Sequence, residues 1–186
     1  MTVGVLALQG DVREHIELIS SLGFDAIGVK TKEQLNSVDG LIIPGGESTT
    51  ISKLLVTFEL LESVREFTKV KPVLGTCAGL ILLSEEVEGK LADQQLIGGL
   101  PIRVSRNAYG GQVHSFEAEV QIEGQVERVA FIRAPKILDA RSTRVIATLD
   151  NEPVGVQHGN IFGASFHPEL TGAKVLHRLF LDQIKK

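Results

Sequence analysis

Between Val73 and Leu83 the chain reads Val-Leu-Gly-Thr-Cys-Ala-Gly-Leu-Ile-Leu-Leu, a buried-strand pattern, an abrupt turn and a helix pattern set around the only cysteine. Gly75-Thr76-Cys77-Ala78-Gly79 has the form G-x-C-x-G, the cysteine counterpart of the elbow in which a strained strand-to-helix turn exposes a nucleophile. Glycines two residues before and after the cysteine leave room for so tight a turn. The turn sets the sulfur near the N-terminus of a helix starting around Ala78, where unpaired N–H groups and the helix dipole favour thiolate over thiol. Without that spacing, a free cysteine reads as a small buried hydrophobe.

An elbow needs a strand feeding directly into a helix, and the sequence before it repeats that order. Residues 3–8 are an apolar run closed by Gln9-Gly10. Asp11 with Glu14 then reads as an N-cap and N3 pair, Val12, Ile16, Ile19 and Leu22 recur at helical spacing, and Gly23 supplies a C-cap. A strand over 26–29, a short helix capped by Thr31 and Gln34, and a strand over 39–44 follow. A helical period from Ile51 to Phe67 leads to Pro72 and the elbow strand. Strand alternating with helix four times predicts an α/β fold whose sheet is mostly parallel with helices on both faces.

After Glu85 the character changes: Gly89, Gly98, Gly99, Pro101, Gly110 and Gly111 punctuate the chain and strand-like alternation replaces helical spacing. Strands are expected over 115–122, 128–132, 144–149, 154–157 and 161–166, with hairpin turns at Asp150-Asn151 and Gly159-Asn160. A final helix starts near Gly172. Glu85, Glu86 and Glu88 read as a solvated helix end. With no repeat or Pro/Ser-rich linker, one domain over 1–186 is the economical expectation. A net charge of −4, one Tyr and no Trp argue against a nucleic-acid binder and for a small polar substrate. One cysteine cannot form an internal disulfide, the opening Met-Thr-Val-Gly has no basic region, and apolar runs such as 80–83 are too short for a bilayer, so a cytoplasmic protein without membrane contact is expected.

A cysteine nucleophile needs a base, and the base an orienting acceptor. Ser165-Phe166-His167-Pro168-Glu169 follows a predicted strand, which in an open parallel sheet delivers His167 to the carboxyl-end crevice where ligands bind. Pro168 holds His167 extended, and residues two apart project to the same side, so Glu169 can reach the imidazole and fix its tautomer. His15 and His177, in predicted helices, read as surface or boundary residues; His158 sits in a hairpin turn and His114 lacks a neighbouring carboxylate. The scattered histidines give no metal-ligand spacing, so no metal or cofactor is expected. Pro44-Gly45-Gly46-Glu47-Ser48, between strand and helix, offers backbone N–H groups to an oxyanion, with Ser48 as a possible N-cap. It lacks the G-K-[ST] of a P-loop.

Together these stretches resemble the class I (triad) glutamine amidotransferases, whose domain is a flavodoxin-like open mixed sheet. Residues 8–15 (Leu-Gln-Gly-Asp-Val-Arg-Glu-His), 43–49 (Ile-Pro-Gly-Gly-Glu-Ser-Thr), 106–110 (Arg-Asn-Ala-Tyr-Gly), 131–135 (Phe-Ile-Arg-Ala-Pro) and 166–171 (Phe-His-Pro-Glu-Leu-Thr) are similar to the glutaminase subunits of two-component pyridoxal 5′-phosphate synthases. The similarity runs nearly end to end; Gly111 departs from it, standing where an arginine is expected. It implies hydrolysis of L-glutamine by Cys77, His167 and Glu169, with Gly46 and Ala78 N–H groups binding the oxyanion. Gly46, Glu47, Ser48, Arg106, Ile132 and Arg133 would line the glutamine pocket. It also implies delivery of ammonia to a barrel-shaped synthase subunit in a hetero-oligomer. Weak activity alone is expected because unregulated hydrolysis would waste glutamine and the glycine-rich loop from Gly45 to Ser48 can hold its donors misaligned until a partner orders them; the Gln9 to Arg13 turn, which follows a parallel strand, is expected on the docking face. The triad itself leaves open a glutaminase serving another synthase, and the fold leaves open a non-catalytic module with Cys77 as a redox sensor.

Overall fold

The computed structural model describes residues 1–106 and 115–186, so Asn107 to Gly110, Gly111 and His114 lie outside the described residues. The first half alternates as its apolar periods require: β1 (Thr2–Leu6), α1 (Val12–Ser21), β2 (Asp25–Val29), α2 (Lys32–Asn36), β3 (Gly40–Ile43), α3 (Ser48–Thr57), α4 (Leu61–Val70), β4 (Val73–Thr76) and α5 (Ala78–Leu83). The second half is mostly strand: β5 (Ser84–Glu88), β6 (Leu100–Ser105), β7 (Phe116–Ile122), β8 (Gln125–Phe131), β9 (Lys136–Asp139), β10 (Arg144–Leu149), β11 (Glu152–His158) and β12 (Ile161–Ala164), closed by α6 (Pro168–Thr171) and α7 (Val175–Ile184).

Among the described residues one sheet runs in the order β2-β1-β3-β4-β12-β11-β10-β7-β8. Strands β2, β1, β3, β4 and β12 are parallel, whereas β11, β10, β7 and β8 extend the sheet by antiparallel pairing. Burial on both faces explains the unbroken apolar strands. Leu41 and Ile43 enter one hydrophobic cluster while Ile42 enters the other, and Val73 and Leu74 divide the same way. Helices α3, α4 and α5 contribute to the first cluster, which also receives Leu100, Ile102, Val104 and Ile137 from the small sheet β5-β6-β9. Helices α1 and α7 cover the opposite face, where Phe131, Phe166 and Phe180 are fully buried. No described helix is long and apolar enough to cross a membrane.

Several local expectations are corrected. The helical period from Ile51 to Phe67 is two helices. Helix α3 ends in paired bonds from Glu59 N to Val56 O (3.0 Å) and Leu60 N to Leu55 O (2.8 Å), with Glu59 at φ 54. This is the left-handed stop usually given to glycine, and a glutamate there leaves no composition signal. The glutamates 85, 86 and 88 belong to a strand rather than a helix end; Glu86 meets Arg141 (2.6 Å) and Glu88 meets Arg103 (3.5 Å). Strands β6 and β9, not foreseen, complete that sheet. Asp11 precedes α1 but makes no side-chain cap, and the cap of α3 is Glu47, which accepts from Thr50 N (2.8 Å), rather than Ser48.

Candidate active site

Parallel pairing carries the ends of β1, β3, β4 and β12 to one edge, and the turns leaving them meet there. Cys77 follows β4 with φ 47, ψ −101, a strained backbone for a side chain with a Cβ, and its N–H donates to Ala164 O at the end of β12 (2.8 Å). The strain persists because the flanks are packed too closely to relax. A Cβ on Gly79 would stand 2.1 Å from Ile43 O, so only glycine lets α5 lie against β3. The sulfur is almost buried, and Sγ points at Ile132 O, 3.7 Å away.

His167 follows β12 and is bridged to β8 through its N–H to Ala130 O (2.8 Å). Its φ of −110 and ψ of 88 keep it out of the helical region ahead of Pro168, though short of a fully extended strand, and Nδ1 donates to Glu169 Oε1 at 2.7 Å. Asp11 Oδ2 lies 3.3 Å from the same Nδ1, which is why Asp11 does not cap α1. Burial opposes a charge on His167, but hydrogen bonds with Asp11, Cys77 and Glu169 prevail and its pKa is pushed up to about 12. For Glu169, burial pushes the carboxyl up while the His167 contact pulls the other way. Asp11, His167 and Glu169 place one donor atom each within 4.8 Å of one another, a spacing that could hold an ion. The short Nδ1 to Oε1 contact makes it a hydrogen-bonded group, with the nitrogen lone pair withdrawn.

Above these residues lies a cavity of about 300 Å³, lined by Gly46, Glu47, Ser48, Cys77, Ala78, Arg106, Ile132, Arg133 and His167, with Gln9, Gly10, Asp11, Ile81 and Leu170 completing the wall. Every site residue expected from the sequence is thus brought together, with Glu169 behind His167. Gly45 touches the imidazole, since a Cβ there would be 2.3 Å from His167 Cε1. Glu47 N donates to Gln9 Oε1 (2.8 Å), tying the glycine loop to the turn that follows β1. Burial disfavours charge on Glu47, yet the hydroxyl and N–H groups of Thr49 and Thr50 hold its pKa down to about 2. The Arg106 guanidinium is engaged by Glu47 (3.1 Å) and Gln94 (3.3 Å), whereas exposed Arg133 has no ion pair within 4.0 Å among the described residues.

His15 and His177 are not surface residues: both are fully buried, and their rings face each other, Nδ1 to Nε2, at 3.0 Å. A signal for this existed. His15 stands three and four residues before Leu18 and Ile19, and His177 before Phe180 and Leu181, which places each on its helix's buried face. Asp11 was hidden by its resemblance to an ordinary cap, and Leu170 by its place beyond the His-Pro-Glu stretch.

Residues 5–186 match the SNO glutamine amidotransferase family. The chain is 47% identical over 190 residues to the pyridoxal 5′-phosphate synthase subunit PdxT of Thermotoga petrophila, covering all of both. It is 46% identical over 189 residues to that of Bacillus pumilus, covering 100% of this chain and 95% of the relative. A crystal structure described as a glutamine amidotransferase superposes with a TM-score of 0.93 at 44% identity over 99% of each chain. The PurLQS structure from Thermotoga maritima, at TM-score 0.71 and 17% identity over 97% of each chain, shares the fold alone. Fold, end-to-end identity and family match agree, and the chain belongs to the SNO glutamine amidotransferase family.

Proposed function

We propose that this chain hydrolyses L-glutamine to L-glutamate and ammonia, and that a separate synthase subunit uses the ammonia to make pyridoxal 5′-phosphate. The observation that carries this reading is Cys77 at a strained helix start, in the wall of a small polar cavity, beside an imidazole held by a buried carboxylate. A cavity of about 300 Å³ suits a ligand of amino-acid size.

In the reaction, His167, whose raised pKa keeps it protonated, holds the proton given up by Cys77 while Sγ attacks the side-chain amide carbon. Negative charge moves to the carbonyl oxygen, where the N–H groups of Gly46 and Ala78 stabilise it. His167 returns the proton to the departing nitrogen, the C–N bond breaks, and ammonia leaves a thioester on Cys77. A water deprotonated by His167 attacks the thioester, the C–S bond breaks, and glutamate is released as the sulfur regains its proton. Glu169 holds the imidazole tautomer throughout. Arg133, lacking an internal ion pair among the described residues, takes the substrate α-carboxylate, and ionised Glu47 suits the α-ammonium.

The names of the PdxT relatives favour a pyridoxal phosphate synthase as ammonia acceptor over other synthases, and the cavity favours an enzyme over a redox sensor. The acceptor is a barrel-shaped subunit in a hetero-oligomer located in the cytoplasm. It docks on the edge bearing the Gln9 to Arg13 turn and settles the Gly45 to Ser48 loop, so the chain alone is a weak glutaminase. The test is ammonia release from glutamine with and without the synthase subunit. Release that rises on adding the subunit supports the reading; no release in either case rejects it.

A further inference from the structure

The mechanism leaves two buried histidines unused, and they lie directly behind the triad. Glu169 has no exposed side-chain surface, and its Oε1 is taken by His167. Its Oε2 is buried without a hydrogen bond, and the ring nitrogen facing it is His15 Nε2 at 3.5 Å. The same Nε2 lies 3.2 Å from Thr76 Oγ1, the residue before the nucleophile, while His15 Nδ1 is 3.0 Å from His177 Nε2. Helix α1, helix α7, the end of β4 and the Glu169 carboxylate therefore share one buried polar cluster.

Proton placement follows from what each nitrogen faces. Burial holds His15 well below its ordinary range, with His177 and His167 adding to the effect, and burial pushes His177 down to about 3, so both rings are neutral. A neutral imidazole carries one N–H. If His15 carried it on Nδ1, its Nε2 lone pair would face a carboxylate oxygen, and the His177 N–H would fall on Nδ1, which has no partner. With His15 protonated on Nε2, that N–H points at Thr76 and Glu169, and His15 Nδ1 accepts from His177 Nε2–H. The lone pair of His177 Nδ1 then goes without a partner and the Thr76 hydroxyl must turn its proton away from the ring; what favours this tautomer is that no lone pair is set against the Glu169 carboxylate and no imidazole N–H is orphaned.

We propose that His15 is a positioning residue of the triad, its Nε2–H facing Glu169 Oε2 so that the carboxylate stays ionised and aimed at His167. The inference rests on the glutaminase reading above. The charged or titratable groups around this pair are Asp11 and His167 on the Glu169 side and His177 behind His15. Oε1 thus holds the His167 N–H and Oε2 faces that of His15 at 3.5 Å, a contact that works against the burial which raises the Glu169 pKa. Helix α7, remote from the cavity, is joined to the nucleophile's neighbourhood through His177.

The test is a double-mutant cycle on the complex with its synthase subunit. His15→Asn, whose amide reaches only the Nδ1 position, should lower kcat for glutamine hydrolysis about tenfold with little change in KM. His15→Gln, whose amide reaches the Nε2 position, should restore most of it. In the Glu169→Gln background, His15→Asn should cost almost nothing further, because the group it acts through is gone. Equal losses in both backgrounds, or a His15→Gln as poor as His15→Asn, would overturn the proposal, as would a His15→Asn with wild-type kcat. Should His15→Asn fail to fold, nitrogen NMR of the wild-type imidazoles decides: a neutral His15 protonated on Nε2 from pH 6 to 8 supports the proposal, and the Nδ1 tautomer rejects it. A wild-type complex that released no ammonia would reject the glutaminase reading, while the tautomer measurement would still judge the role of His15.

Discussion

The carboxyl edge of the parallel strands and the antiparallel strands beyond β12 belong to one sheet, yet they tolerate different things. At the parallel edge, backbone packs on backbone: Gly79 lies against Ile43 O, Gly75 against Gly79, and Gly45 against the His167 ring. In the antiparallel half, β7 alternates exposed with more buried residues, β8 runs from an exposed start to a buried end, and their outer face carries solvated pairs such as Arg128 with Glu117 (2.6 Å). The first region fixes atoms, and a single methyl there has nowhere to go. The second supplies a wall through Ile132 and Arg133, and its outer face can vary freely.

That contrast can be broken by substitution. Gly79→Ala should have the largest effect on the fold, since its Cβ would meet a carbonyl at 2.1 Å. A loss of about 3 kcal/mol or more, roughly 10 °C in Tm, is expected in thermal unfolding. An unchanged Tm would show that the edge has slack. Next, at the cavity wall, Arg133→Ala should raise KM for glutamine by about tenfold or more while changing kcat less, the pattern of a contact equal in ground and transition states. An unchanged KM in steady-state assays would make Arg133 an ordinary solvated residue.

The buried seam between α1 and α7 sharpens the comparison through pH. His177 has its pKa lowered from 6.5 to about 3 and His15 is lowered as well, so the unfolded chain binds protons that the folded chain refuses. Their contribution to stability is complete above the unfolded value of 6.5 and is lost as pH falls below it. Urea unfolding between pH 8 and 5 should show stability falling on the acid side, and His177→Phe should flatten that slope. Smallest of all, Arg128→Ala on the antiparallel face should cost less than about 1 kcal/mol, because the side chains of Arg128 and its partner Glu117 are 72% and 48% exposed. A larger loss would mean that this face is as demanding as the parallel edge.

The parallel core was legible because its signals are local: unbroken apolar runs for β1, β3 and β4, and the reciprocal Thr31 and Gln34 cap of α2. The Asp150-Asn151 turn was equally plain, both residues adopting positive φ as a two-residue hairpin requires. The pocket residues were legible through short stretches with a mechanism, such as Gly75 to Gly79 and His167 to Glu169. Tertiary context hid the rest. Glu59 ends α3 with no glycine to announce it. Glu86 and Glu88 look solvated in sequence, and are, but their strand exists because β6 and β9 lie beside it. Asp11 abandons a cap for an imidazole some 156 positions away in sequence. The polar cluster of His15 and His177 likewise depends on two helices that only the fold brings together.

The central claim is that Cys77 is the nucleophile of a glutaminase, and the most direct measurement is ammonia release from L-glutamine by wild type and Cys77→Ala, each with the synthase subunit. Cys77→Ala is expected to keep the wild-type unfolding temperature and to lose more than about 10⁴-fold in rate, since only the attacking sulfur is removed. Release from the purified variant at a rate near that of wild type would contradict it.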